Sequence, residues 1–468
     1  MGRAREFLKE LDQAGEVVHI RRAVSATYEL AAVAKRLDGE CVVFHEVRES
    51  PFRAVSGVVG SRDKVARALG VDRSRLTLAL ASAIRDPVEP KRVERAPCKE
   101  VVAWLGRDGR PTRLEANDGV DPPRNHRGLL SLPICTHAEG DGGPYVTAGV
   151  VVAEDPELGP NASFHRLMWL GGNEFAVRVV PRHLHEYLSR AGGELDVAVC
   201  VGNHPSVMLA AAVSTELGRS ELAIANALRP LSVVRCETVD VSVPANAEIV
   251  LEGRITKRTA REGPFVDLTG THDVVREQPV LEVRLLSHRR DPYYHALLPG
   301  GSEHRTCMGL PREPTIATEV SKVCRCLDVH LTDGGCGWLH GVVQIEKRDP
   351  GDPKRAIEAA FRGHPSMKHV FVVDPDVDPR DPVAVEWAMA TRFQGSTGLH
   401  VYKDQVGSSL DPSADQDSRL TTKVGFDLTI PLARAGDARD KFLKVKFPGV
   451  EDVNLEVLRR GGGGRGGG

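Results

Sequence analysis

The sequence predicts a mixed α/β (α+β) protein in which two α/β segments flank a strand-rich centre. Three observations predict this class: helical and strand patterns alternate near the N-terminus, strand patterns dominate from about residue 110 to 305, and the alternation then returns. The chain has 468 residues, too many for one ordinary hydrophobic core, so we expect more than one domain.

The first segment begins with an amphipathic helix. Phe7, Leu8, Leu11 and Ala14 share one helical face, and Gly15 is suited to end the helix. Apolar runs and a second helical pattern follow. They predict a strand, a helix and another strand at 17–20, 28–37 and 41–47.

The central segment contains many short apolar runs typical of strands. The strand candidates are 148–154, 175–181, 195–202, 232–243, 248–255 and 280–288. Helical patterns interrupt them at 205–214 and 220–228. Many strands with few crossover helices predict an antiparallel sheet or a barrel.

The third segment returns to alternating helices and strands. We expect helices at 311–324 and 381–393, and strands at 338–347 and 369–378. The chain ends in RRGGGGRGGG, a low-complexity stretch whose glycines have high conformational entropy when unfolded. We therefore expect this tail to be disordered and to take no part in the chemistry.

Composition and charge exclude several classes of protein. The formal net charge is −2, so no whole-chain basic field favours a nucleic-acid or membrane partner. The first residues, MGRAREFLKELDQAGEVV, lack an apolar run long enough for a signal peptide or a spanning helix, which predicts a cytoplasmic protein. The chain has nine cysteines and no CxxC pattern, so we interpret most of them as small core residues.

A dense polar stretch between residues 160 and 188 is the first candidate site. It could be a solvated loop and the charged face of a helix, or it could bind an anionic ligand. In the second case Asn161 and His183 could bind a metal, and a carbonyl oxygen with an imidazole nitrogen suits Mn²⁺ or Mg²⁺. The polar residues are Asn161, Ser163, His165, Arg166, Arg178, Arg182, His183, His185 and Glu186.

Two further stretches contain ionisable residues in a context that permits chemistry. Glu262 and Asp267 flank a Gly-Pro turn, which could direct both carboxylates into one pocket for proton donation and acceptance, or could be a polar hairpin turn. Lys423 begins a strand after a polar loop, where it could bind phosphate or face solvent. The Gly-rich runs at 140–149 and 332–341 permit close backbone approach, but neither is a nucleotide-binding fingerprint.

Taken together and in this order, these stretches resemble the UbiD family of reversible decarboxylases. Asn161 and Arg166 match the family's flavin- and metal-binding stretch, and the sequence EGPF with Asp267 matches its acidic motif. The sequences VPANAEIVLEG, EWAMATRFQ and SLDPSA are also similar to those of the family. The resemblance extends from Phe7 to Lys446.

The resemblance implies a prenylated FMN cofactor bound with Mn²⁺ and often K⁺ at its phosphate. It implies that Asn161, His183 and Glu221 bind the metal. It also implies a set of residues that contact the flavin, among which Lys423 would neutralise the phosphate. These residues are Ser163, Phe164, His165, Arg166, Arg178 and Lys423.

The catalytic residues implied by the resemblance are Arg166, Glu262 and Asp267, with Asp in the last position of a Glu-Arg-Glu network. Loss of CO₂ from an sp² carbon leaves an electron pair that cannot delocalise, so a cofactor must supply an electron sink. Asp267 is our choice for the acid that protonates the resulting carbon. Arg166 would orient the substrate carboxylate and keep Glu262 ionised.

The stretches EGPFVDLTGTHD, HALLPGGSEHRTCMGLPREP, LTDGGCGWLH and GSSLDPSA are most similar to an archaeal-type branch of the family. This implies trans-anhydromevalonate 5-phosphate as substrate and isopentenyl phosphate as product, in a modified mevalonate route to isoprenoids. Aromatic residues make up only 5% of the chain, which favours a phosphorylated aliphatic acid. Basic residues near the candidate pocket also favour it: His165, His295, His304, Arg305 and Arg312.

Three alternatives stay open. The substrate could be an aromatic or heteroaromatic acid, or a ubiquinone precursor. From another class, the protein could be an inactive flavin-binding chaperone or scaffold, although the intact set of Arg166, Glu262 and Asp267 argues against this.

The resemblance also implies an architecture and partners. The expected domains are an N-terminal α/β domain (1–110), a split β-barrel that binds the flavin (111–305), and a linker helix with a C-terminal α/β oligomerisation domain (306–455), before the tail (456–468). The expected partners are a small carboxylic acid, a flavin prenyltransferase that supplies the cofactor, and further copies of the chain in a homodimer or homohexamer.

Overall fold

A computed structural model describes residues 4–121, 125–432, 440–445, 447–450, 453 and 455–456. The predicted tail, apart from Glu456, lies outside the described residues. The helices are α1 (Ala4–Gln13), α2 (Glu29–Arg36), α3 (Arg62–Leu69), α4 (Leu76–Arg85), α5 (His183–Arg190), α6 (Pro205–Ala210), α7 (Glu221–Leu228), α8 (Ser302–Gly309), α9 (Glu313–Ser321), α10 (Asp352–Gly363), α11 (Pro382–Arg392) and α12 (Gly395–Gly398).

Within the described ranges the strands lie in five sheets. In chain order they are β1 (Val17–Ile20), β2 (Cys41–Phe44), β3 (Arg53–Ser56), β4 (Lys91–Val93), β5 (Val101–Leu105), β6 (Pro111–Ala116), β7 (Tyr145–Val146), β8 (Val150–Asp155), β9 (Gly159–Phe164), β10 (Leu167–Gly171), β11 (Glu174–Val177), β12 (Leu195–Val201), β13 (Ser232–Arg235), β14 (Ser242–Pro244), β15 (Ile249–Glu262), β16 (Phe265–Val266), β17 (His272–Asp273), β18 (Arg276–His288), β19 (Tyr293–His295), β20 (Arg325–Leu331), β21 (His340–Glu346), β22 (His369–Val373), β23 (Leu399–Val406) and β24 (Leu420–Asp427).

The N-terminal segment forms a four-stranded sheet in the order β1-β2-β3-β19. Phe7 and Leu11 are buried on α1, as the predicted apolar face requires. The last strand comes from residues 293–295, far along the chain, and it pairs in parallel with β3. This pairing joins the N-terminal segment to the end of the central one.

The central segment is built around β15 and β18, two long antiparallel strands of 14 and 13 residues. The ten-stranded sheet follows the path β7-β10-β11-β18-β15-β12-β8-β9, and β5 and β6 extend it from β18. Its described neighbours all pair antiparallel, which confirms the sheet predicted from the sequence. The path is open, because no described pair of strands joins β7 to β9 and closes a barrel.

Both faces of the central sheet are buried along β12. Successive side chains of a strand point to opposite faces, and on β12 Val197 and Val199 enter one core while Ala198 and Cys200 enter another. The second core also receives α6 and α7. This explains why the strand candidates are nearly continuous apolar runs rather than alternating ones.

One predicted strand is wrong. The candidate at 232–243 is two antiparallel strands, β13 and β14, joined by a turn. The turn forms because the buried carboxylate of Glu252 accepts hydrogen bonds from the backbone N–H groups of Glu237 and Thr238, at 2.6–3.0 Å. That contact is between distant residues and leaves no mark in the local pattern.

The C-terminal segment is an α/β unit whose sheet has the order β20-β21-β22-β24-β23. The three inner strands are parallel and the two edge strands are antiparallel to their neighbours. Helices α9 and α10 pack against the sheet through Ile316 and Ile357. Among the described residues, no helix is long and apolar enough to cross a membrane.

Candidate active site

The centre of the candidate site is Arg166, which lies between the ends of β9 and β10. Its guanidinium donates to both oxygens of Glu262, with Nε–Oε1 2.8 Å and Nη2–Oε2 3.1 Å. It also donates from Nη1 to Asp267 Oδ2 at 2.6 Å and from Nη2 to Asp273 Oδ2 at 2.9 Å. The structure therefore brings the three predicted catalytic residues together and adds a third carboxylate.

Local folding explains how two distant stretches meet here. Glu262 is the last residue of β15, and the hairpin of β16 and β17 follows it. In that hairpin Phe265 pairs with Asp273, so the turn between them carries Asp267. The ring of Phe265 lies under the guanidinium of Arg166, 4.9 Å from ring centroid to Cζ.

The network holds Arg166 strongly in its charged form. Burial alone would lower the pKa of Arg166, but hydrogen bonding to Glu262 and the charges of Glu262, Asp267 and Asp273 outweigh it and raise this pKa. Burial likewise opposes the charged form of Asp273, yet the hydrogen bond from Arg276 and the charge of Arg166 lower its pKa. Both groups are therefore ionised at neutral pH.

Three residues of this network, Tyr145, Asp273 and Arg276, were not predicted from the sequence. Tyr145 is fully buried and donates its hydroxyl to Glu262 Oε1 at 3.1 Å. Asp273 also accepts from Arg276 Nη1 at 2.6 Å, and Arg178 Nε lies 3.8 Å from it. A signal for Asp273 did exist: a hairpin prediction across the DLTGTHD stretch would have placed it near Asp267.

The predicted metal ligands also meet. The buried carboxylate of Glu221, the first residue of α7, lies 3.1 Å from Asn161 Nδ2 and 3.4 Å from His183 Nδ1. It accepts the backbone N–H of Ala162 at 2.9 Å. Ser220 caps the helix and so fixes Glu221 at its start. Within the described ranges no three His, Cys, Asp or Glu residues form a metal cluster, so the set depends on the amide of Asn161.

The predicted flavin contacts near the end of β9 lie within hydrogen-bonding distance of their neighbours. Ser163 Oγ lies 3.2 Å from Asn161 Oδ1 and 3.0 Å from His165 Nε2, and His165 Nδ1 lies 2.8 Å from the carbonyl oxygen of Arg178. Burial lowers the pKa of His165 to about 4, so the imidazole is neutral at neutral pH. Since the neutral ring bonds a carbonyl through Nδ1, Nε2 is the acceptor for Ser163.

These groups surround a cavity of about 700 Å³ that extends toward the C-terminal segment. Asn161 and Glu262 lie outside its lining and contact residues that form it. Lys423 is buried within β24, which begins three residues before it rather than at it, and also lies outside the lining. Its ammonium donates to the carbonyl of Pro365, next to the cavity residue Ser366. The predicted residues that line the cavity are Ser163, Phe164, His165, Arg166, Arg178, His183, Glu221 and Asp267.

The basic residues expected near the pocket divide into two groups. His304 and Arg312 line the cavity, as His165 does. His295 and Arg305 lie outside it, where they contact Glu303 at 3.1 Å and Asp38 at 3.5 Å.

Profiles of one enzyme family match most of the chain. They are the N-terminal, Rift-related and C-terminal domains of 3-octaprenyl-4-hydroxybenzoate carboxy-lyase (UbiD), at residues 8–84, 117–302 and 305–428. The chain belongs to the UbiD family of carboxy-lyases, so the activity class is decarboxylation.

Similar proteins narrow the place within this family. An anhydromevalonate phosphate decarboxylase of Methanothermobacter thermautotrophicus is 41% identical over 94% of this chain and 99% of its own length. An anhydromevalonate phosphate decarboxylase of Methanosarcina mazei is also 41% identical, over 91% of this chain and 95% of its own length. The structure of the UbiD-class enzyme HmfF from Pelotomaculum thermopropionicum in complex with FMN has a TM-score of 0.89 and is 37% identical in sequence. The match covers 97% of this chain and 99% of the HmfF chain.

A more distant structure belongs to an enzyme of aromatic acids. The 3,4-dihydroxybenzoic acid decarboxylase from Enterobacter cloacae has a TM-score of 0.84 at 26% identity, covering 96% of this chain and 97% of its own. The fold is therefore common to relatives whose names describe different substrates.

Proposed function

We propose that this protein is a prenylated-FMN-dependent decarboxylase that converts trans-anhydromevalonate 5-phosphate to isopentenyl phosphate and CO₂. The observation that carries the proposal is the Arg166–Glu262–Asp267 network at the cavity, in a chain 41% identical to archaeal anhydromevalonate phosphate decarboxylases. The proposed reaction would belong to a modified mevalonate route to isoprenoids.

The cavity fits a flavin. Its volume of about 700 Å³ lies within the range typical of small-molecule and cofactor sites. The backbone and side chains of β9 and the Arg178 side chain line one wall, where they would contact the cofactor as proposed for Ser163, Phe164, His165 and Arg166. When bound, prenylated FMN would supply the electron sink for the electron pair that is left on carbon when CO₂ departs.

The donor set beside this wall fits a hard divalent cation. Glu221 offers a carboxylate and His183 offers an imidazole nitrogen. Asn161 offers its amide oxygen Oδ1 once the amide group rotates, because Nδ2 now faces Glu221. Oxygen and imidazole ligands suit Mn²⁺. We assign these residues to Mn²⁺ at the flavin phosphate, with K⁺ as an accompanying ion and Lys423 as a further positive charge.

Arg166 and Asp267 would carry out the remaining steps. The guanidinium of Arg166 can orient the substrate carboxylate by charge-assisted hydrogen bonds, while Glu262 and Tyr145 hold the guanidinium in place from the buried side. Asp267 lines the cavity and would donate the proton that replaces CO₂ on carbon. Its hydrogen bond to Arg166 fixes the position of the carboxyl group.

An aromatic or heteroaromatic acid is the second candidate substrate. The similarity to the 3,4-dihydroxybenzoic acid decarboxylase favours it, at a TM-score of 0.84. Such a substrate would need flat apolar walls, and Phe164, Phe265 and Trp338 are the aromatic residues at the cavity. The same lining contains more arginines than aromatic residues, which favours the phosphorylated acid.

The test is a comparison of kcat/KM, on anaerobic protein produced with a flavin prenyltransferase. The substrates are the phosphorylated acid, its unphosphorylated analogue, and a panel of benzoic, cinnamic and furoic acids. We expect the phosphorylated acid to exceed the analogue by at least about 100-fold, the scale of lost hydrogen bonds to a charged group. A clear preference for an aromatic acid would instead support the second candidate.

We further propose three domains at 1–110, 111–305 and 306–455, and a cytoplasmic homodimer or homohexamer. Assembly through the C-terminal segment is supported by β23, an edge strand on which Leu399, Val401 and Val406 are exposed. Light scattering of the purified chain, beside a Val401→Glu variant, would test this interface. Wild-type oligomers and smaller species of the variant are expected; a monomeric wild type would contradict the proposal.

A further inference from the structure

Arg182 and Arg312 are two of the cavity arginines that have no carboxylate partner among the described residues. Arg312 is only 5% exposed, and its Cζ lies 5.3 Å from the ring centroid of Trp338. Its Nε makes no hydrogen bond within the part of the chain that the structure describes. Arg182 is more exposed, and its side chain makes one long contact, from Nη1 to Ser214 Oγ at 3.5 Å. Both side chains line the cavity.

This arrangement contrasts with the other buried arginines. Arg392 is buried against Asp374 and Asp376, and Arg166 is buried against Glu262 and Asp267. A buried charge without a partner is strongly destabilising. An arginine kept in this state at a cavity wall is therefore placed for an anion that arrives from outside the chain.

Arg312 remains charged despite its burial. Burial, and then the neighbouring charge of Arg182, lower the pKa of Arg312 to about 9, so the guanidinium is still protonated near neutral pH. The two neighbouring positive charges of Arg312 and Arg182 favour binding of an anion with more than one negative charge. A phosphate monoester is such an anion, and two of its oxygens can accept paired hydrogen bonds from a planar guanidinium.

The position of Arg312 relates it to the substrate rather than to the catalytic carboxylates. It follows α8, which carries His304, another cavity residue. Burial lowers the pKa of His304, and the charge of Asp267 opposes that shift. Eight residues of helix separate His304 from Arg312 by roughly 12 Å at a rise of about 1.5 Å per residue. The cavity thus has an acidic network near His304 and an unpaired basic pair about two helical turns further along.

We propose that Arg312, with Arg182 beside it, binds the phosphate group of the substrate. This inference rests on the proposed function, since it assumes a phosphorylated acid. The flavin also carries a phosphate monoester, to which Glu221 with its metal and Lys423 are assigned. Arg182 directly precedes His183, a residue of the same metal set, so retention of flavin in the variants distinguishes the two phosphates. The guanidinium pair supplies substrate specificity, while the Arg166 network performs the reaction.

The test combines a variant with a change of substrate. Arg312→Gln should lower kcat/KM for the phosphorylated acid roughly 10- to 150-fold, as for hydrogen bonds to a charged group. The same variant should leave kcat/KM for the unphosphorylated analogue within about threefold of wild type, since that substrate has no phosphate to lose. Arg182→Gln should give the same pattern with a smaller loss of kcat/KM. This variant replaces Arg312→Gln in the test if Arg312→Gln does not fold.

Two further measurements separate the possible failures. Bound flavin, measured by absorbance and mass, should be unchanged in both variants; loss of flavin would assign the pair to the cofactor phosphate and overturn the inference. Calorimetry with isopentenyl phosphate should show tight binding to wild-type holoenzyme and weaker binding to Arg312→Gln. An equal loss for both substrates, or unchanged binding, would also overturn it. A wild type that prefers an aromatic acid would refute the proposed function itself.

Discussion

Replacement of Asp267 by asparagine separates proton donation from the other properties of the site. Asp267 Oδ2 accepts from Arg166 Nη1 at 2.6 Å, and the side chain is 17% exposed toward the cavity. Asparagine has the same shape and can still accept this hydrogen bond, but it has no acidic proton. A single general acid contributes roughly 10²–10⁴-fold to a rate, or about 2.7–5.5 kcal/mol of barrier. We expect turnover to fall by that factor.

The assay is steady-state turnover of holoenzyme, with bound flavin quantified in each preparation so that cofactor loss is not mistaken for lost chemistry. The matched control is Asp273→Asn, which also removes one negative charge from Arg166, at a 2.9 Å contact. It should cost less than about tenfold, because Asp273 is not the proposed donor. Unchanged turnover in Asp267→Asn would exclude Asp267 and make Glu262 the next candidate, and equal losses in the two variants would indicate an electrostatic role.

Three other substitutions test the surrounding structure. Glu221→Gln should reduce Mn²⁺ and flavin retention together, measured by metal analysis and absorbance, because one carboxylate would serve the metal at the flavin phosphate; retention of both would contradict this role. Tyr145→Phe removes the hydrogen bond to Glu262 Oε1 and should lower the free energy of unfolding by about 1–2 kcal/mol in denaturant titrations. Phe175→Ala empties a fully buried position of β11 and should cost about 3–5 kcal/mol, and a loss below about 1 kcal/mol would refute its place in the core.

The order of elements could be predicted from the sequence because local patterns determine it. The strand at 195–202 and the helix at 220–228 correspond to β12 and α7, since apolar periodicity and the Ser220 cap are local signals. Sheet order could not be predicted in this way. The pairing of β3 with β19 joins residues about 240 positions apart, and no local pattern encodes such a contact.

The same distinction applies to the site. The prediction that Arg166, Glu262 and Asp267 act together came from a family resemblance, and the structure shows them in contact. Tyr145 was missed because its partner, Glu262, lies 117 residues further along the chain. The burial of Arg312 could not be predicted either, since only the fold shows that it has no acidic partner among the residues that the structure describes.

The most direct test of the account is to measure cofactor and product on one preparation. The chain is produced anaerobically with a flavin prenyltransferase, its cofactor is identified by mass spectrometry, and CO₂ and isopentenyl phosphate are quantified after addition of trans-anhydromevalonate 5-phosphate. The account predicts bound prenylated FMN and equal amounts of the two products, with no turnover in protein made without the prenyltransferase. Full activity in flavin-free protein, or no CO₂ from the loaded enzyme, would contradict it.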